Sequence, residues 1–443
     1  MDGSTYPDHR VTRRRRLWRA VAVLVLLTPI AVVLLAVETS PRVDAARPPD
    51  AAAAAHVREL AGRLRDFIDP GDAPAQITAS EAEINAGLAS LARLRPGVAG
   101  RVAVADDRVE AMLSAGGPLL PGGLWINLRG RLVETPQGTE IESIRVGRLP
   151  LPPALVTPVL RLAADRVLGP GGGETLMGTL AALQIEAPVV TLAMAPGELT
   201  GGGRLDRLKA RIRAMAAGGA DTERVVTHLG ALHEAAGGGG FADAAGSVLP
   251  FLHATLAAIE LGETDTDPAA EMRAALFALT LYCGDARFGL AIGVWVPNRM
   301  QGRRNHCATA TLGGRHDLVR HFVLSAGIHA ASTDETVMGL GELKELLDSN
   351  PDGTGFSFDD MAANLAGARF ATRLMTAAPE DWPEIAAAIG TEADILPPID
   401  DLPSGLGAAD FEATYGDIDS PAYRALMAEI ENRITALPLH RGS

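Results

Sequence analysis

Polar side chains spaced four apart on otherwise apolar helical segments single out residues 313–370 of this 443-residue chain as the stretch best equipped for chemistry. Asp317 with His321, and Asp360 with Asn364, would each present two polar groups on one helix face, because positions i and i+4 are neighbours along a helix. Glu342, Glu345 and Asp348 lie between the two pairs. Burying an unpaired carboxylate is costly, so such groups either satisfy one another or meet a ligand. An imidazole among carboxylates suits general acid–base work, or the holding of a metal or of a phosphate-bearing envelope lipid. Asp317, His321, Glu345, Asp360 and Asn364 are therefore the residues expected to act in catalysis or ligand binding.

A second constellation overlaps the first. Asp348, Asn350, Asp352 and Asp359 stand at positions 1, 3, 5 and 12 of a loop whose sixth residue is Gly353, between two expected helices, which is the ligand order of a calcium-binding loop. Gly355 replaces the usual aliphatic residue at position 8, and Asp359 is shorter than the customary glutamate. Asn-Pro and Asp-Gly are also ordinary turn formers, so a tight connection between helices accounts for the same residues. Calcium or another divalent metal is the cofactor class these residues would accept. His316-Asp317 could form the dyad of a metal phosphohydrolase, yet His306 lies only ten residues upstream, across Gly313-Gly314. Ser325 has no flanking glycine elbow, which argues against a serine hydrolase. Phe322, Phe356, Phe358 and Phe370 read as core, and Lys344 as part of a solvated face.

The three pieces together carry a family resemblance. Asp317-x-x-x-His321-Phe322, then an acidic residue, then Ser357-x-x-Asp360-x-x-x-Asn364-x-x-Gly367 is similar to the VanZ-like proteins. Lys344-Glu345-x-x-Asp348 followed by Gly355-Phe356-Ser357-Phe358-x-Asp360 resembles the small YfiM-type envelope lipoproteins. The resemblance implies an envelope location, a shared polar cluster, and a glycine at 367 that lets two helices approach. VanZ-like members are built of membrane helices, whereas this region is too polar and too charged to span a bilayer.

These residues need a scaffold, and the pattern beyond them is mixed. Ser80 and Glu83 satisfy an S-x-x-E capping box for a helix opened by Thr78-Ala79-Ser80 and running to about Leu94. Short alternating runs at 101–105, 109–114, 124–133 and 140–146 read as strands separated by turns, and a helix near 152–167 precedes a strand at 188–194. The order of these pieces, with Thr78-x-Ser80-Glu81-x-Glu83-Ile84-Asn85 and a GRLPLPPAL turn at 147–155, loosely resembles the YpmS-type extracytoplasmic domains. From Leu205 onward helices are expected at 205–217, 221–236, 241–260, 267–282, 316–331, 335–347, 358–375 and 381–390, with a last one opening at Ser420-Pro421. The glycine runs between them match neither phosphate-binding motif and read as connectors.

The fold class expected is α+β, mostly α: an N-terminal transmembrane helix, a small antiparallel α+β domain and a C-terminal all-α domain. Residues 1–19 would be a basic cytoplasmic tail, 20–37 the anchor, 38–74 a linker and helix, 75–200 the α+β domain and 201–443 the helical domain. Residues 20–37 carry no charge and are long enough for a hydrocarbon core of about 30 Å. Arg13–Arg16 and Arg19 precede this run, which places the N-terminus inside. A cleavable signal peptide is the rival reading, although signal cores are shorter. The bulk of the chain would then lie in the periplasm, on a single-pass anchor in a bacterial inner membrane.

Net charge is −14, and the six arginines among residues 1–19 leave the rest more acidic still, which argues against nucleic acid as a partner. Cys283 and Cys307 are the only cysteines, and in an exported chain they invite a disulfide, two free buried thiols being the alternative. The function expected is binding of an envelope component, a lipid or glycan precursor, through the polar cluster. A metal-dependent hydrolase acting on a phosphorylated envelope substrate and a structural scaffold are the competing classes. Solvent access to the cluster separates them.

Overall fold

The computed structural model describes residues 27–28, 32–43, 48–68, 75–117, 121–136, 138–168, 170–194, 221–237, 241, 246–259, 267–286, 288–292, 294, 305–332 and 334–440. The expected anchor at 20–37 and the helix expected at 205–217 fall largely or wholly outside these residues. Leu27, Thr28 and residues 32–36 are helical, and no helix among the described residues is long and apolar enough to cross a membrane.

The chain leaves residues 32–36 into a short strand, β1 (Val37–Glu38), and then forms α1 (Ala51–Ile68), β2 (Ala75–Ser80) and α2 (Glu81–Leu94). An antiparallel meander follows: β3 (Val98–Ala105), β4 (Arg108–Gly116), β5 (Trp125–Thr135), β6 (Gly138–Val146) and β7 (Leu149–Pro150) pair in chain order, and β1 adds to β5 at Val37↔Ile126. Next come α3 (Pro153–Leu168) and α4 (Gly172–Ala181), then β8 (Leu183–Glu186) and β9 (Val189–Met194). The last two strands form a second, three-stranded sheet with β2, where Thr78 faces Thr191 and their hydroxyls lie 3.2 Å apart. Residues 75–80 are thus a strand rather than the opening of a helix. Ser80 serves both elements, ending β2 and capping α2. Its hydroxyl accepts from the Glu83 amide while Glu83 accepts from the Ser80 amide, the reciprocal box read from the sequence.

The helical region comprises α5 (Thr222–Gly237), α6 (Leu249–Ala257), α7 (Pro268–Leu279), α8 (Phe288–Ile292), α9 (His316–Ala331), α10 (Asp334–Asp348), α11 (Phe358–Thr376), α12 (Trp382–Ala387), α13 (Ala408–Tyr415) and α14 (Pro421–Thr435). Three lengths depart from expectation, the helix expected at 381–390 being only Trp382–Ala387. α6 begins only at Leu249, with Pro250 in its first turn, where the missing N–H costs nothing. α7 stops at Leu279 and continues as a π-helical turn, Thr280–Gly284. That turn carries Cys283, bonded to Cys307 with Cα atoms 5.2 Å apart, so the expected disulfide is present.

α9 and α11 form the centre of this region. A methyl group at Gly367 would sit 2.0 Å from the Phe322 carbonyl oxygen, so the two backbones approach this closely only because 367 is glycine. Phe322, Phe356, Phe358 and Phe370 are fully buried, as expected, and Phe356, Phe358, Phe411 and Tyr423 pack ring against ring. α10 packs on α9 and α11 on one side and on α1 and α2 on the other, so it joins the two regions. Glu342 on α10 is 2% exposed and accepts two hydrogen bonds from Arg93 of α2, at 2.6 and 2.7 Å, and one from the Tyr423 hydroxyl at 3.0 Å.

Candidate functional site

Three helices bring the polar groups together. His321 comes from α9, Lys344, Glu345 and Asp348 from α10, and Asp360 and Asn364 from α11. The last two are one helical turn apart on α11 and both face His321, as their spacing predicts. His321 Nε2 lies 3.0 Å from Asp360 Oδ2, and its Nδ1 lies 3.0 Å from Asn364 Oδ1. Both ring nitrogens thus meet oxygen acceptors, and an imidazolium can donate to each. Ser325, one turn after His321, donates to the same Asn364 oxygen at 3.0 Å and not to the imidazole. No serine–histidine nucleophile is formed here.

Lys344 was expected on a solvated face and instead ties the carboxylates together. Its ammonium lies 2.8 Å from Glu345 Oε1, 2.8 Å from Asp348 Oδ2 and 3.5 Å from Asp360 Oδ2. Its side chain stays 44% exposed, so the cluster reaches solvent through it. Glu345 is fully buried, and its second oxygen accepts the Ser357 amide at 3.0 Å. Burial pushes the Glu345 carboxyl up to about 7, outweighing the attraction of Lys344. Asp360 moves the other way. Burial opposes its charge, but the hydrogen bond from His321 and the nearby charges of His321, Lys344 and Arg315 hold it below the usual carboxylate range. Two adjacent carboxyls are therefore poised differently, one close to neutrality and one firmly ionised.

Asp317 does not pair with His321, although it is one turn away. It is exposed and binds Arg315, whose Nε lies 3.0 Å from Asp317 Oδ1, and that hydrogen bond holds the Asp317 carboxyl low. Arg315 is the residue that the spacing argument misses. Its guanidinium also reaches Asp359 and lies 2.8 Å from Asp360 Oδ1, closing the outer edge of the cluster. Its partners on α11 lie 44 and 45 positions away, beyond any local pattern. His316 turns its Nδ1 to the Ala310 carbonyl oxygen at 2.7 Å and forms no dyad with Asp317.

The calcium-loop residues are not brought together. Asp348 faces Lys344, Asp359 faces Arg315, and the Asn350 amide nitrogen donates to the Ala51, Leu346 and Leu347 carbonyls. Asp352 points to solvent at the tip of a tight turn closed by Gly353 N to Asn350 O and Gly355 N to Asp348 O. Among the described residues, only His321, Glu345 and Asp360 form a group that could share a metal ion, with ligand atoms all within 4.8 Å of one another.

The cluster floors an open cavity of about 490 Å³. His321, Asp360, Asn364 and Lys344 supply its polar base, and Leu324, Ile328, Val337 and Leu340 an apolar wall. A larger cavity, about 590 Å³, lies between α1, α2 and the sheet, but among the described residues its lining holds no group that could share a metal ion. No family model matches the chain, and no curated protein or solved structure matches it either.

Proposed function

We propose that this chain is a membrane-anchored cell-envelope protein whose helical domain binds an amphipathic envelope component in the α9–α10–α11 cavity. One observation carries the reading: the cross-paired polar cluster forms the floor of a cavity instead of being sealed in a core. A network that only locks the fold needs no access to solvent, whereas His321, Lys344, Asp360 and Asn364 of this one line a cavity open to it. The cavity also has two chemistries side by side, which suits a ligand with an apolar chain and a polar head. Carboxylate oxygens at Asp360 and Asp348 accept hydrogen bonds, and Lys344 donates them, so hydroxyl or amine groups fit the head better than an isolated anion would. The apolar run at 20–37, the arginines before it and the resemblance to envelope proteins support the location, and the Cys283–Cys307 bond suits an oxidising compartment.

Native mass spectrometry of the detergent-solubilised full chain tests this reading. The wild type should carry an additional small-molecule mass, extractable with organic solvent, that Leu340→Arg loses while keeping its melting temperature. No added mass on the wild type from its native membrane would count against ligand binding.

The 4.8 Å grouping of His321, Glu345 and Asp360 supports a second reading, a metal-dependent hydrolase acting on a phosphorylated envelope substrate. His321 Nε2 and the two carboxylates would hold a divalent ion, and the Nδ1–H bond to Asn364 would orient the ring for it. Such an ion would supply Lewis-acid activation of water or of a phosphoryl oxygen. Lys344 already places a cation among the same oxygens, which weakens this reading. Elemental analysis separates the two: stoichiometric metal lost in His321→Ala would favour the hydrolase.

A further inference from the structure

Helix α3 carries an apolar face that is exposed among the described residues. Leu155, Val159 and Leu162 are 50%, 44% and 70% exposed, whereas Val156 and Ala164 are buried toward the body of the domain. At about 100° per residue the three exposed side chains fall within an arc of about 60°, and they extend about 10 Å along the axis. Arg166 lies on the same arc one turn further, and it is exposed. The face is thus a short apolar stripe that ends in a guanidinium.

Its position in the fold says what would cover it. The turn that leads through β7 into α3 is bonded to the end of the N-terminal apolar run. Arg148 N donates to the Leu35 carbonyl at 2.8 Å, and Gly147 packs so closely on residues 35 and 36 that a methyl group there would sit 2.6 Å from their carbonyl oxygens. Residues 32–35, at the other side of that contact, are apolar and exposed like the α3 stripe. Arg148 itself is 74% exposed, with its guanidinium 3.8 Å from Glu38. Arg166 therefore ends the stripe, and Arg148 stands in the turn before α3, at the point where an uncharged run of bilayer length joins the body.

We infer that α3 lies in the headgroup layer of the bilayer, with Leu155, Val159 and Leu162 facing the acyl boundary and Arg148 and Arg166 meeting anionic lipid phosphates. The inference rests on residues 20–37 being the membrane anchor. An interfacial helix of this kind needs an apolar stripe edged by basic residues, and the anchor supplies the proximity that so short a stripe could not secure alone. The domain would then be held in a fixed orientation on the membrane instead of swinging from a tether. Long arginine side chains can reach headgroups while their stems stay on apolar surface.

The test reconstitutes the full chain in vesicles of phosphatidylcholine and phosphatidylglycerol, with an environment-sensitive fluorophore on Leu162→Cys or on Thr157→Cys. Thr157 is exposed on the opposite side of the same helix, so neither substitution disturbs the core. Flotation with the vesicles is measured first. The expected result is flotation of both variants, with the Leu162 probe blue-shifted and losing fluorescence to lipids that carry a nitroxide near the headgroup, and the Thr157 probe unaffected. Failure to float would remove the anchor and this inference together. Flotation with equal quenching at both sites, or with none, would remove the α3 face alone. A blue-shifted Leu162 probe that lipid nitroxides do not quench would also overturn the inference, and would point to a second copy of the chain or a protein on that face.

Discussion

Two buried carboxylates three residues apart on α10 meet opposite fates. Glu342 is saturated: two bonds from Arg93, one from Tyr423, and packing on every side where α10 joins α2 and α14. Burial and the Glu342 charge beside it push the Tyr423 hydroxyl well above its ordinary range, so it stays a neutral donor. Glu345 is as deeply buried, but its partner is a half-exposed lysine shared with Asp348 and Asp360, and its group of residues borders a cavity. A bidentate arginine fork fixes geometry, while one ammonium among three carboxylates leaves several arrangements close in energy. The first carboxylate works as a joint between two regions, and the second belongs to a site.

Breaking the joint should have the largest effect. Arg93→Ala leaves Glu342 buried without its guanidinium, at a cost of about 3 kcal/mol, read as a lowered melting temperature. Tyr423→Phe removes one hydrogen bond to a charged acceptor, and about 2 kcal/mol is expected in the same assay. At the site, His321→Ala should cost about 1 kcal/mol, because Asp360 keeps Arg315 and Lys344 and Asn364 keeps Ser325, yet it should abolish ligand retention. If His321→Ala destabilised as much as Arg93→Ala, the cluster would be a second joint.

The pH dependence sharpens the contrast. The folded Glu345 carboxyl titrates near 7, above its ordinary 4.5. Between those values the unfolded chain has released a proton that the folded chain keeps, so stability from this group is fully present below 4.5 and is lost as pH rises through 7. Thermal unfolding of the wild type minus that of Glu345→Gln, measured across this window, should fall with rising pH. A flat difference would mean that Glu345 is ionised throughout. The smallest effect belongs to Asp352→Ala: exposed at its turn, it should change stability by less than about 0.5 kcal/mol, and a chelator should leave the melting temperature of this loop's variant and the wild type equally unmoved.

What the sequence reveals divides along the same line. The Asp360–Asn364 pair, the Ser80–Glu83 box, the glycine at 367 and the paired cysteines are local signals, and each has the structural role its spacing suggests. Asp317 obeyed the same spacing rule as Asp360 and went elsewhere, because Arg315, two residues before it, offered a closer cation. Arg315 and Lys344 have partners close in the sequence, Asp317 for one and Glu345 and Asp348 for the other, but their reach to Asp359 and Asp360 on α11, and that of Arg93 to a partner 249 residues away, lie beyond any pattern in a short window. α4 was missed because it opens on the glycines at 171–173, which are poor helix formers, and β2 because its residues also cap a helix. Tertiary pairing of charges is the part of this molecule that one-dimensional reading reaches least.

The most direct measurement compares thermal unfolding of Glu342→Gln and Glu345→Gln at pH 7, side by side in the full chain. Both variants replace one carboxyl group by an amide of the same shape at equally buried positions on one helix. A saturated joint and a near-neutral site carboxyl predict a cost of about 3 kcal/mol for the first and less than about 1 kcal/mol for the second, a gap of roughly 2–4 °C in melting temperature. Equal losses in the two variants would contradict the division of α10 into a joint and a site.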